Sequence, residues 1–134
     1  MDTKPLTHPP QILVVDDEPS LVNLCLLIFE QAGYQARGAF SGKQALKMVG
    51  EEMPDLILLD VMMPGMDGIE VCRQIADLAT AKRPTILMYT ADDSQQTKVK
   101  GINAGATDFI SKNIPIFDLP PQIDRFLTNN TPSK

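Results

Sequence analysis

Five polar residues in this chain each follow a run that predicts a buried strand. They are Asp16, Asp17, Asp60, Thr90 and Lys112, and they end the runs 12–15, 56–59, 86–89 and 109–111. In an open α/β sheet, ligands bind beyond the carboxyl ends of the strands, so we expect these side chains to form one site. A carboxylate cluster with no thiol or imidazole beside it suits a hard cation such as Mg²⁺.

The alternation of apolar runs and breaks predicts five βα units. We predict strands at 11–16, 34–40, 55–60, 85–90 and 107–112, and helices at 20–32, 41–50, 69–79, 94–104 and 121–127. The first, third and fourth strands are continuous apolar runs, which is typical of central parallel strands buried on both faces. The sequence therefore predicts a five-stranded, doubly wound parallel α/β sheet flanked by five helices.

Length, charge and cysteine content limit the class of protein. The 134 residues fit one domain, which we place at 11–128 between a flexible tail at 1–10 and a polar tail at 129–134. The net charge of −5 argues against nucleic acid and against an anionic membrane surface as partners. The apolar runs are too short to span a bilayer, and residues 1–10 lack a signal-peptide pattern, which predicts a cytoplasmic protein. Cys25 and Cys72 lie in helical patterns and are expected to be buried free thiols.

Four stretches, in order and at this spacing, resemble the receiver domain of response regulators, the phosphoacceptor of two-component signalling. They are ILVVDDE at 12–18, DLILLDVMMPGMDG at 55–68, YTA at 89–91 and NAGATDFISK at 103–112. The resemblance covers about residues 10–128 and implies the strand order 2-1-3-4-5. It also implies that a histidine kinase or a histidine phosphotransfer protein donates a phosphoryl group to the chain in a Mg²⁺-dependent reaction. A surface that docks on another protein would then switch.

The resemblance assigns the nucleophile and the metal ligands. Asp60 is the residue expected to accept the phosphoryl group, as an acyl phosphate. Asp17 and Asp60 are expected to bind Mg²⁺ directly, and the backbone carbonyl of Met62 to be the third protein ligand. Asp16 is expected to act mainly through water. Glu18 fits a structural role in the acidic turn before the first helix better than a ligand role.

The resemblance also assigns phosphoryl contacts and a switch. Thr90 and Lys112 supply a hydroxyl and an ammonium that can hold two phosphoryl oxygens. Phe109 occupies the position of the family's switch aromatic, which turns as Thr90 moves toward the phosphoryl group; the alternative is an ordinary apolar core residue. Met62 and Asp92 occupy positions that flank the path of the hydrolytic water.

The segment after Lys112 departs from the family pattern. Receiver domains usually have proline directly after this lysine, whereas this chain has Asn113 there and its next proline at Pro115. We therefore expect a longer loop, followed by a last helix of only about two turns that starts at Pro120–Pro121. The expected effect is a reshaped output face rather than a lost phosphorylation site.

Several alternatives stay open for the whole protein. With no effector domain after residue 128, the chain is expected to be a single-domain regulator that signals by protein contact, as a monomer or a weak phosphorylation-dependent dimer. It is alternatively a receiver excised from a longer regulator or hybrid kinase, or a binding module that works without phosphorylation. An enzyme, an aspartyl phosphatase, is disfavoured because its usual second aspartate falls at Met62. The sequence names neither the kinase nor the downstream target.

Overall fold

Five strands and five α-helices alternate along the chain in the computed structural model, which describes residues 9–78 and 83–129. The strands are β1 (Gln11–Val15), β2 (Gln35–Ala39), β3 (Leu56–Leu59), β4 (Thr85–Thr90) and β5 (Asp108–Ser111). The helices are α1 (Pro19–Gln31), α2 (Gly42–Glu51), α3 (Gly68–Leu78), α4 (Gln95–Ala104) and α5 (Leu119–Asn129). Of the two predicted tails, residues 1–8 and 130–134 lie outside the described residues.

All strand pairs are parallel, and the sheet order is β2-β1-β3-β4-β5. The predicted fold and strand order are therefore confirmed. The register pairs Val15 with Leu59 and Thr90 with Ser111. Because these are the last positions of their strands, the residues that follow β1, β3, β4 and β5 meet at one edge of the sheet.

Helices cover both faces of the sheet, and side chains alternate between two core clusters. Leu13 and Val15 of β1 point into the cluster formed with α2, α3 and α4, whereas Ile12 and Val14 point into the cluster formed with α1 and α5. Burial on both faces explains why the interior positions of the central strands are apolar or aromatic. Cys25 and Cys72 are buried free thiols, one in each cluster, as predicted.

Helix ends follow the expected capping chemistry. Ser41 accepts a hydrogen bond from the Gln44 amide, which confirms it as the cap of α2. Gly33 and Gly105 have φ values of 100° and 116°, a left-handed conformation that glycine adopts without a Cβ clash. Glu18 lies at the start of α1 and makes no side-chain capping bond. Within the described part of the chain, no helix has the length and apolar character to cross a membrane.

The expectation of a two-turn last helix is wrong, because α5 has 11 residues. A 3₁₀ turn at Ile116–Asp118 leads into it, and it begins at Leu119 rather than at the prolines. Pro120 and Pro121 lie in its first turn. Backbone amides in the first turn have no acceptor within the helix, so the prolines lose no hydrogen bond there. Leu119 and Ile123 are fully buried and anchor this turn to the core.

Candidate functional site

Three carboxylates cluster at the edge of the sheet where the strands end. One oxygen each from Asp16, Asp17 and Asp60 lies within 4.8 Å of the others. The amides of Asp16 and Asp60 donate to the carbonyls of Ala39 and Val15, so both residues continue their strands. Asp16 and Asp60 are 2% and 6% exposed, whereas Asp17 is exposed to solvent. The cluster therefore has two buried carboxylates and one that faces outward.

Lys112 supplies the positive charge at this cluster. Its Nζ donates to Asp16 Oδ2 at 2.8 Å and lies 3.4 Å from Asp60 Oδ2. Its amide donates to the carbonyl of Thr90, which extends the pairing of β4 and β5 by one residue. The other carboxylate oxygens have local partners: Asp16 Oδ1 accepts from the Glu18 amide and Asp60 Oδ1 from the Met62 amide.

The charges at this edge are unbalanced, with three carboxylates and one ammonium. Burial, and then the negative charge of Asp16, raise the pKa of Asp60, although Lys112 and the Met62 amide oppose this. Burial alone would lower the pKa of Lys112, but its bonds and attraction to Asp16 and Asp60 outweigh burial and raise it. Lys112 therefore remains an ammonium, and the cluster favours an additional cation.

The carboxylate cluster fits a hard divalent ion. All its side-chain ligands are oxygens, which Mg²⁺ prefers, and Asp17 opens the cluster to solvent. The loop that carries the Met62 carbonyl is fixed close to Asp60, because the Gly68 amide donates to the carbonyl of Val61. A Cβ at Gly68 would overlap the Asp60 carbonyl, so only glycine permits this close approach.

Thr90 ends β4, the strand that neighbours β3, and is connected to the start of α4. Its Oγ1 accepts a hydrogen bond from the Asp92 amide at 3.0 Å. The Asp92 carboxylate accepts in turn from the Ser94 amide at 3.0 Å and from Thr97 Oγ1 at 2.6 Å. The Thr97 bond is the main reason that the pKa of Asp92 is lowered. This chain of bonds joins the Thr90 hydroxyl to the first turn of α4.

Phe109 lies in β5 at the contact between the sheet and α4. It is partly buried against the core, and its ring faces Gly101 of α4. A Cβ at Gly101 would lie 2.5 Å from Phe109 Cζ, so the ring occupies the space that any side chain at 101 would need. This packing fits a core residue, and the switch role stays a prediction.

Sequence reasoning missed two residues beside the site. Thr97 bonds the Asp92 carboxylate, and its only signal is a position three residues after the helix cap Ser94. Tyr89 lies beneath Lys112, with its ring centroid 5.6 Å from Nζ. The sequence feature that could have indicated Tyr89 is the alternation of side chains along β4, which places it on the α1/α5 face of the sheet.

Comparison with known proteins agrees with this geometry. Residues 12–124 match the family model of the response regulator receiver domain. The chain belongs to this family. The receiver domain is similar to the alkaline phosphatase synthesis transcriptional regulatory protein PhoP of Bacillus subtilis, with 47% identity over 102 residues, covering 76% of this chain and 42% of PhoP. It is also similar to the response regulator PleD of Caulobacter vibrioides, with 41% identity over 104 residues, covering 78% of this chain and 23% of PleD.

Solved receiver structures have the same fold. A CheY-like response regulator receiver domain protein from Methanospirillum hungatei is 28% identical, with a TM-score of 0.83 over 90% of this chain and 95% of that chain. The matched region covers less than half the length of PhoP and of PleD.

Proposed function

We propose that this receiver domain accepts a phosphoryl group on Asp60 from a phosphohistidine of a histidine kinase or phosphotransfer protein, in a Mg²⁺-dependent reaction. The observation that carries the proposal is the arrangement around Asp60. It follows the strand at the centre of the sheet, its carboxylate clusters with those of Asp16 and Asp17, and the ammonium of Lys112 contacts both Asp16 and Asp60. Family membership supports the same reaction.

Each neighbouring residue has a role in this proposal. Asp16, Asp17, Asp60 and the Met62 carbonyl would hold Mg²⁺, Asp16 mainly through water. The ion would neutralise the carboxylates and shield the charge of the incoming phosphoryl oxygens. Asp60 attacks as a carboxylate, so its attack needs no general base. Lys112 and the Met62 amide favour the carboxylate form of Asp60, whereas burial and the charge of Asp16 raise its pKa.

Thr90 and Lys112 would hold the phosphoryl oxygens once the group is transferred. Lys112 Nζ already lies 3.4 Å from Asp60 Oδ2, the side of the carboxylate away from the Met62 amide. The Thr90 hydroxyl accepts from Asp92 and keeps its own hydrogen for donation. Catalysis in this proposal is positioning plus charge neutralisation.

We also propose that phosphorylation switches a protein-docking face. Thr90 would move toward the phosphoryl group, and Phe109 would turn with it, so that the face formed by α4, β5 and α5 changes. The contact of the Phe109 ring with Gly101 and the bonds from Thr90 to α4 connect both residues to that face.

The first experiment is the intact mass of the protein after incubation with acetyl phosphate, with and without Mg²⁺. A Mg²⁺-dependent gain of one phosphoryl group, about 80 Da, is expected and should be absent from Asp60→Asn. Asp93→Asn, an exposed aspartate outside the cluster, is the matched control and should gain the same mass. Uptake by Asp60→Asn would contradict the assignment, and no uptake even from a phosphorylated histidine donor would favour a phosphorylation-independent binding module.

A further inference from the structure

Tyr89 lies directly beneath the ammonium of the site. The residue is 4% exposed, in the core cluster that α1 and α5 form with the sheet. Lys112 Nζ lies 5.6 Å from the ring centroid, within the range of about 6 Å in which an aromatic face attracts a cation. Lys112 therefore has an aromatic contact on one side and the carboxylates of Asp16 and Asp60 as its oxygen partners.

The strand order explains why a residue of β4 occupies this place. Lys112 follows β5, the edge strand, whereas Asp60 and Asp16 follow β3 and β1. Because β4 lies between β5 and β3, the lysine side chain must cross β4 to reach either carboxylate. Strands are about 4.8 Å apart, so the distance crossed to β3 is about 10 Å.

Tyr89 is the β4 side chain under that path. The register pairs Tyr89 with Ile110, two residues before Lys112, and both belong to the α1/α5 cluster. Alternation places Lys112 on the same face, whereas Thr90 points to the other side of the sheet. The path of the lysine to Asp60 therefore crosses β4 at Tyr89, and Nζ lies over the ring of that residue.

We propose that Tyr89 is a positioning residue for Lys112, and that its ring face holds the ammonium over the carboxylate cluster. An aromatic face attracts the charge without taking a hydrogen bond, so all three N–H donors of Lys112 stay available for oxygen ligands. The contact between Tyr89 and Lys112 does not depend on the proposed function. Its effect on phosphoryl binding rests on the proposed function.

A purely structural tyrosine, filling the core without acting on Lys112, is the competing explanation. Tyr89→Phe keeps the aromatic face, whereas Tyr89→Leu keeps an apolar side chain and removes the face. A double-mutant cycle with Lys112→Met, read from urea unfolding without Mg²⁺, separates the two explanations. The Tyr89→Leu cycle should show a coupling of about two- to fivefold in the unfolding equilibrium constant, and the Tyr89→Phe cycle should show none. Equal losses in the presence and absence of Lys112 would overturn the proposal.

Ring electronics provide a second test, which holds even if Tyr89→Leu fails to fold. Phenylalanines with none, one, two or three ring fluorines are placed at 89, because fluorination weakens the face for cations with little change of shape. Beryllofluoride mimics a phosphoryl group. Its affinity, measured in saturating Mg²⁺, should fall stepwise along this series by about two- to fivefold in total. The affinity for Mg²⁺ alone should stay constant, and a flat beryllofluoride series would reject the role of Tyr89.

The two readouts also separate this inference from the proposed function. If the wild-type protein binds no beryllofluoride, the proposed phosphoryl site is wrong, yet the unfolding cycle still decides whether Tyr89 acts on Lys112. A second readout of the same contact is the ¹H and ¹⁵N shift of the Lys112 ammonium. The ring current of residue 89 should shift this signal in wild type and in Tyr89→Phe relative to Tyr89→Leu. If neither protein showed the shift, the contact would be contradicted.

Discussion

The ammonium of Lys112 donates a 2.8 Å hydrogen bond to Asp16 Oδ2, although the two residues are 96 positions apart in sequence. Asp16 is almost fully buried, and the side chain of Lys112 is 22% exposed. A buried carboxylate is costly unless a charge or hydrogen-bond donor compensates it. In the metal-free state, therefore, Lys112 stabilises the very carboxylates that we propose as metal ligands, in addition to any role with a phosphoryl group.

Replacing Lys112 with methionine should destabilise the metal-free protein by about 2 kcal/mol, because two buried carboxylates lose their cation. Mg²⁺ should restore more stability to this variant than to wild type, since the ion supplies the missing charge. Urea unfolding with and without Mg²⁺ measures both effects. Lys98→Met, on the exposed face of α4, is the control and should change stability by less than about 0.5 kcal/mol. Equal losses in the two variants would show that the contact with Asp16 contributes nothing.

Asp60→Asn should have the opposite effect on the metal-free protein. Folding raises the pKa of Asp60 through burial and the charge of Asp16, so the folded state disfavours the carboxylate at neutral pH. Removing that charge should therefore raise stability at pH 7. The gain should shrink on acidification, when the wild-type carboxyl also becomes neutral. Asp93→Asn, which removes an exposed charge, should leave stability nearly unchanged at both pH values.

Sequence analysis located Asp16, Asp60 and Lys112 because buried parallel strands tolerate polar residues only where they end. It did not predict which carboxylate Lys112 binds, since that depends on how the side chain crosses β4. The role of Tyr89 was hidden for the same reason: an aromatic residue in a buried strand satisfies packing alone. The predicted start of α5 at the prolines is wrong because the buried residue Leu119, which precedes them, begins the helix.

Thr97→Val should loosen the connection between Thr90 and α4 while keeping the side-chain shape. Without the 2.6 Å bond from Thr97 Oγ1, the Asp92 carboxylate loses a partner, and amide exchange should speed up from Asp92 to the first turn of α4. Thr97→Ser retains a hydroxyl and should exchange like wild type. Hydrogen exchange followed by NMR resolves these amides, and unchanged protection in Thr97→Val would show that the bond does not hold the loop.

The same bond has a defined pH dependence. Because the Thr97 hydroxyl lowers the pKa of Asp92, its contribution is present above the ordinary aspartate value of 3.8 and is lost as pH falls through the lowered value. The difference in unfolding midpoint between wild type and Thr97→Val should therefore be constant near neutral pH and disappear in strong acid. A difference that grows on acidification would contradict this assignment.

Gly101→Ala should displace the ring of Phe109. Alanine in a helix is usually more stable than glycine by about 0.5–1 kcal/mol, but a Cβ here meets Phe109 Cζ at 2.5 Å. We expect a net loss of stability and a shift of the Phe109 ring signals. Gly50→Ala, at a helical glycine with nothing within 4 Å of its Cβ, is the matched control and should be neutral or stabilising. Phe109→Leu should recover the loss in Gly101→Ala, because the shorter side chain frees the space.

The two thiols should be inert until the protein unfolds. Burial raises the pKa of Cys25 to about 12 and that of Cys72 to about 11, so almost no thiolate exists at pH 8. Unfolded thiols ionise near pH 9, so stability should fall as pH rises from about 9 toward the folded values. In Cys25→Ala/Cys72→Ala the fall should be less steep. Labelling with a thiol reagent at pH 8 should follow the opening rate of the fold, and rapid labelling of the native protein would show that these thiols are accessible.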